Sequence, residues 1–593
     1  MQNQEIEKKY KWKLEFSFKS KKHFIKKLNK IIKMNMKLLK FEDKFNDFQV
    51  FKKFFFKNRK VNKLEEQLAY PFNLLEVEQN NDYLLELNQI YNIKMNDISD
   101  KFTWVQENLK NYNKDQFLEF VKNDNDLKNY YKSYVDFYKE IKYLLPEKDR
   151  KILAKTNGSS STIYEMYETL MYKDYKTSKF IFQNQEYKLD NKTYTQILTD
   201  SNPIKDQKLR IEYSQAFNKN IFNKRFSFIK LYDALIRENV ESYKLIGIKD
   251  YFEYFFDDSD FYKPDLETII NATSKYEYLV EKFYLLFKEH FNFDNEFYIT
   301  DTSLKLSKEN NQKITIEKGI EVIKSAFDIF GDEYGQFLEE MLIPGKIDYL
   351  EYKYKNSGAF TITNNYFKPL ISLNWTNDIS SIMTLGHELG HGIHHLYAQK
   401  YQPEPFNSFG HLIGEVASTF NELIIMQYLL KTASKETKIW LIQNKIEFLM
   451  SNLFSAIKFT KFELNCFEQV HNDKIINELY LDQLIKELNQ NSSIQYFDKE
   501  FKKYSWINID HIFEQPFYLY KYSVSISVAF HFFNNFLKTG DITPFIEFLK
   551  EGGNLEPKQL FKKYGFDTLN EHSYDSIFQY IDKLIEQLRE LIK

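Results

Sequence analysis

Apolar residues recur every three or four positions over most of the chain, which predicts a protein built mainly of helices. Residues 1–60 show the pattern first, where KKHFIKKLNKIIKMNMKLLKF sets apolar side chains at helical spacing among many lysines. A solvated helix face accounts for that run better than a membrane-surface or RNA-binding helix, and FKKFFFK at 51–57 reads as core aromatics rather than a base-stacking platform. From 81 to about 180 the spacing continues, as in DLKNYYKSYVDFYKEIKYLL, with a break at Gly158 and the serines after it. FIFQNQEYKLDNKTYTQIL then alternates and predicts a short hairpin. A boundary near residue 195 divides an N-terminal helical domain, 1–195, from a second domain, 196–593. Helical spacing resumes from 200 to 345, with stops at Gly247, Pro264 and Gly331.

Residues 347–375 change character to alternating patterns broken at Gly358 and Pro369, and predict two or three short strands. They lead directly into LNWTNDISSIMTLGHELGHGIHHLYAQKY at 373–401. Here Ile382, Gly386, Leu389, Ile393 and Leu396 form a helical stripe that faces the interior, and Asn377 or Asp378 can cap the start.

Nearly opposite that stripe stand His387 and His391, which with Glu388 make the pattern HExxH. Four residues advance a helix by about 400°, so the two imidazoles project from one face and can hold one metal ion. Two neutral imidazoles suit zinc, and the adjacent carboxylate suits taking a proton from water. With 11 His among 593 residues, a chance HExxH is expected in only roughly a few per cent of such chains.

A third ligand is needed, and GEVASTFNELIIMQYLL offers Glu415 and Glu422 on one face of a second helix. Val416, Ala417, Phe420, Leu423, Ile424, Met426, Leu429 and Leu430 surround them almost completely, so this helix is expected to be buried. Buried carboxylates need partners: either the metal or ordinary ion pairs. Spacing alone leaves Glu415 and Glu422 both open.

Taken together, HELGHGIHH and EVASTFNE resemble the signature of the oligoendopeptidase F group of the thimet oligopeptidase family, which are zinc metallopeptidases. The resemblance is clear over 200–593. It implies a two-lobed, mainly α fold with a deep substrate channel, a small sheet beside the HExxH helix and one zinc ion per chain. It implies Glu415 as the third ligand, with Glu422 behind it, and Glu388 as general base. The long metzincin pattern fails, because it wants Gly at 394 and His at 397 where this chain has His394 and Tyr397. A thermolysin-like pattern would instead select Glu422, after Asn421.

The last chemical cluster is HIFEQPFYLYKYSVSIS, with His511, Tyr518, Tyr520 and Tyr522. A phenol or imidazolium aimed at the carbonyl oxygen lowers the barrier to peptide hydrolysis as charge develops there. By resemblance His511 and Tyr520 are the first choices for that task, then Tyr518, while Phe513 stands where relatives often have Tyr. His394 is expected to form a hydrogen bond rather than bind metal, and His411 to touch substrate or cap its helix.

Composition narrows the rest. Only 16 Gly and 11 Pro punctuate the chain, which favours long helices, and a net charge of −2 gives no general pull toward nucleic acid or anionic lipid. The one cysteine, Cys466, excludes an intrachain disulfide and thiolate-rich metal sites, and is expected to pack as a small apolar residue. No apolar run has the length of a signal sequence or a membrane span, so the expectation is a cytoplasmic endopeptidase acting on short peptides, with no nucleic-acid or membrane partner. Two rivals remain at this point: a helical metallocarboxypeptidase, which would need a cation for the substrate's terminal carboxylate, and a non-enzymatic scaffold with structural zinc.

Overall fold

The computed structural model describes residues 9–45, 47–146, 148–150, 159–173, 179–256, 261–293, 296–307, 313–356, 358–489 and 503–593. Among them the chain is mainly α with two small sheets, the fold class that the spacing predicts. The break at Gly158 lies outside the described residues. Two compact units form, each from three stretches: Met1–Glu147, Gln312–Ile425 and Gly540–Leu555 make the first, and Lys148–Asn311, Met426–Thr539 and Glu556–Lys593 make the second. Residue 195 falls within the second unit.

In the first unit, helix α1 (Lys21–Leu38) is capped by Ser20, whose side chain accepts the His23 N–H. It buries Phe24, Leu28 and Ile31 and leaves most of its lysines at the surface, so the basic run is a solvated face. Helix α2 (Phe48–Ala69) sends Phe51 and Phe54 into the same core, where they meet Phe45, Trp104 and Phe117 edge to face. FKKFFFK is therefore core, as its pattern suggests.

The second unit contains the hairpin β1 (Lys179–Phe182) and β2 (Gln185–Lys188), closed by Gln183 and Asn184 at φ 47° and 67°. Two residues of positive φ match the twist of the paired strands, which is why a short polar pair turns there. TYTQIL, which the alternation places near the hairpin, lies instead in the helix Asn191–Asp200.

Three strands precede the HExxH helix in the first unit: β3 (Ile347–Asp348), β4 (Phe360–Ile362) and β5 (Leu370–Ser372). Their order is β3-β5-β4, with β3 parallel and β4 antiparallel to β5. The β3–β4 connection is pinned from inside: Lys355 Nζ sits 2.6 Å from Asp348 Oδ1, and also donates to the carbonyls of Asp348, Leu350 and Leu373. Helix α3 (Ile379–Tyr401) follows, and of the two predicted caps Asp378 serves, its Oδ1 accepting the Ser381 N–H at 2.9 Å. The predicted stripe, from Ile382 to Leu396, is buried throughout. Among the described residues no helix is long and apolar enough to cross a membrane.

Candidate metal centre

Helix α3 presents His387, Glu388 and His391, and helix α4 (His411–Thr432) presents Glu415 and Glu422. The two helices nearly touch backbone to backbone. A Cβ on Gly390 would lie 2.6 Å from Ser418 Cα and 2.9 Å from the Ala417 carbonyl oxygen, so only glycine permits the crossing. Asn421 ties the same crossing: its Nδ2 donates to the Gly386 carbonyl at 3.1 Å while its Oδ1 accepts the Tyr334 hydroxyl at 2.8 Å. One turn before Ser418, this approach delivers Glu415 to the histidines.

Around that point three ligand groups converge. His387 Nε2 stands 3.5 Å from Glu415 Oε2, His391 Nε2 stands 3.7 Å from Glu415 Oε1, and the two Nε2 atoms are 3.2 Å apart. One ligand atom from each residue lies within 4.8 Å of the others. Glu422 does not join them. Its Oε1 lies 2.7 Å from His387 Nδ1, on the far side of the ring, where it holds the tautomer that frees Nε2. His391 makes its own hydrogen bond to the backbone of Gly414.

The donor set fits a zinc ion. Two imidazole nitrogens and one carboxylate are a common catalytic zinc set, and two free Nε2 lone pairs at hydrogen-bond distance repel unless a proton or a cation lies between them. The charges agree. Burial opposes a charge on His387, but the carboxylates of Glu422, Glu415 and Glu388 outweigh it and hold the ring up at about 9. Burial pulls His391 down to about 4, so that ring is neutral and ready to bind. Burial likewise opposes the charge on Glu415, and His391, His387 and His411 overcome it, keeping the carboxyl below its ordinary range.

Glu388 is 5% exposed and makes a different set of contacts. Thr361, on the edge strand β4, donates to Glu388 Oε2 at 2.7 Å and to its carbonyl oxygen at 3.0 Å. Burial pushes this carboxyl up, against the effects of His387 and Thr361, which suits a base that must also release a proton. Thr361 is a site residue that sequence reasoning missed, since one threonine in a three-residue strand carries no signal.

Two neighbouring histidines divide. His411 Nε2 lies 3.1 Å from Glu415 Oε1, and Ser418 Oγ donates to Glu415 Oε2 at 2.9 Å, so both oxygens of that carboxylate are steadied from its own helix. His394 corrects the expectation of a hydrogen bond. It is fully buried, neither ring nitrogen has a hydrogen-bond partner among the described residues, and the ring stacks on Phe409 at 3.9 Å. It packs as an aromatic, and burial drives it neutral.

The remaining predicted residues belong to the second unit. His511 opens the short helix Ile512 shares, His511–Glu514, and the three tyrosines sit at the start of the helix Leu519–Thr539 or just before it. His511 and Tyr518 stack at 5.5 Å, with Tyr522 edge-on to both at 6.0 and 5.3 Å, and all three rings are half-buried. Tyr520 differs. It is 1% exposed and packs against Phe256 and Phe261. Burial thus sets Tyr520 apart from the half-buried pair of His511 and Tyr518. Phe513 stacks on Tyr167 at 4.2 Å in the core.

The family described as Peptidase family M3 matches residues 203–580, and the one described as Oligopeptidase F matches residues 108–176. Oligopeptidase PepF of Bacillus subtilis (strain 168) is 22% identical over 98% of this chain and 87% of its own length. An oligoendopeptidase F homolog of Borreliella burgdorferi is 24% identical over 99% of both chains. The crystal structure of oligoendopeptidase-F from Enterococcus faecium has the same fold, with a TM-score of 0.69 and 18% identity over 100% of this chain and 99% of that one.

Proposed function

The chain belongs to peptidase family M3, in its oligoendopeptidase F group, and from that premise we propose that this metalloendopeptidase cuts internal bonds of short peptides using one zinc ion and Glu388 as base. The observation that carries the reading is the meeting of His387, His391 and Glu415 at one point, with Glu388 next to them on the same helix. Three protein ligands leave a position open, as in catalytic rather than structural zinc sites. A zinc ion held there would supply Lewis acidity toward a water molecule and the scissile carbonyl.

The chain's own groups do the rest. Glu388 takes a proton from water as the water oxygen bonds to the carbonyl carbon, then passes it to the amide nitrogen as the C–N bond breaks, leaving a carboxylate and an amine. Thr361 holds Glu388 Oε2 and so orients the carboxyl for both transfers. The edge strand β4, on which Thr361 lies, accepts an extended peptide through main-chain hydrogen bonds that ignore side-chain identity. His511 and Tyr518 donate to the carbonyl oxygen as it gains charge, with Tyr520 the alternative donor. The names oligopeptidase and oligoendopeptidase carried by the relatives support short peptides as the substrate class.

Internally quenched peptides blocked at both ends test the reading. The expected result is cleavage of short blocked peptides, lost on exhaustive chelation and restored by zinc. Undiminished cleavage after chelation, or cleavage confined to peptides with a free C-terminus, contradicts it.

A further inference from the structure

Helix Ala456–His471 in the second unit carries Glu463, which is 1% exposed. Its Oε1 accepts the backbone N–H of Phe517 at 2.8 Å, and its Oε2 has no hydrogen-bond partner among the described residues. Burying a carboxyl in this way is costly, and burial pushes its pKa up to about 8, so it is held in its neutral form. The metal chemistry does not use it. What it grips is the turn between His511 and Tyr518.

That turn is unusual at Phe517. Its φ is 58°, in the left-handed region that non-glycine residues rarely enter without outside support. The ring is locked by Phe467 at 4.8 Å, by Phe255 and Phe256 at 5.2 Å, and by Tyr251 stacked at 5.8 Å. The rings hold the side chain, and the Glu463 carboxyl holds the backbone. Tyr518 is the next residue, so the orientation of the Phe517 peptide decides whether its ring meets His511 in the observed stack.

We infer that Glu463 is a positioning residue for the His511–Tyr518 pair, fixing the left-handed turn by accepting the Phe517 amide. The inference rests on the reading of that pair as donors to the carbonyl oxygen. Only an acceptor at this point is required, so an amide oxygen serves as well as a carboxyl oxygen.

The test measures kcat and KM of the zinc-loaded full chain on a quenched peptide. Glu463→Gln keeps the acceptor and is expected to stay within about twofold of the parent. Glu463→Met removes it and is expected to lower kcat about tenfold, with KM and zinc content unchanged, and to add nothing further in a Tyr518→Phe background. Should the Met variant not fold, Glu463→Asp withdraws the acceptor by one methylene with little loss of volume and is expected to show the same kcat-only loss. A folded Met or Asp variant with parental kcat, or a loss of equal size with and without Tyr518, overturns the inference and leaves the reading of the pair intact. If His511→Ala and Tyr518→Phe leave kcat unchanged, the reading itself fails and this inference with it.

Discussion

Gly390 and Ser418 are packed so closely that a methyl group on the first would stand 2.6 Å from the Cα of the second. The contact sets the distance between the helix that carries His387 and His391 and the helix that carries Glu415. Gly390→Ala must push them apart, and overpacking of this kind costs about 1–3 kcal/mol. Because Glu415 is three residues from Ser418, the same shift draws the carboxylate away from the two imidazoles. The expected outcome is a lower unfolding midpoint together with weaker zinc binding, read by thermal denaturation and chelator competition. A variant that loses stability but binds zinc like the parent would separate the crossing from the site.

Glu422 contacts His387 through Nδ1 at 2.7 Å and stays out of the ligand set. Glu422→Gln keeps a hydrogen-bonding group at that position and removes its charge. Zinc affinity is expected to fall about 10–100-fold while one ion per chain still binds at saturation. Glu415→Ala is expected to do worse, since it deletes one of the three proposed ligands. The reverse ranking would exchange the roles of the two acids.

The HExxH helix was open to a reader of the sequence because both of its signals are local. His387 and His391 share a face by their spacing, and the stripe from Ile382 to Leu396 gives the opposite face. Glu415 needed more, since a loop of unknown path separates it from His391, and spacing left it equal with Glu422 until the resemblance was used. Gly390 carries no signal of its own in the motif, and its purpose appears only when Ser418 is placed against it. Tyr518 and Tyr520 are two residues apart at the entry to a helix, where they diverge in direction. No pattern of residue types tells which one turns toward Phe256 and which toward His511.

That divergence gives a direct comparison. Tyr518→Phe is expected to lower kcat by about 10–100-fold with little change in KM, as for loss of a donor to developing charge. Tyr520→Phe, at a buried ring, is expected to act on stability and leave kcat within about twofold. Steady-state kinetics on one peptide decides, and the opposite pattern would restore Tyr520 as the donor.

Glu463 also ties stability to pH. Burial raises its folded-state pKa from 4.5 to about 8, so between those values the folded chain keeps a proton that the unfolded chain has lost. Stability from this group is full below about pH 4.5 and drains away as pH rises toward 8. Glu463→Gln carries no such proton, so its stability relative to the parent is expected to improve between pH 5 and pH 8 by on the order of 2–4 kcal/mol. Urea unfolding of both proteins at the two pH values measures this, and a constant difference would show that the carboxyl is ionised in the folded chain.

In the proposed mechanism Glu388 moves the proton while His387, His391 and Glu415 hold the metal. Glu388→Gln separates the two roles, with bound zinc and kcat measured on the same preparation. The expected result is one zinc per chain, as in the parent, and turnover reduced by about a thousandfold or more. Parental turnover from the zinc-loaded variant would contradict it.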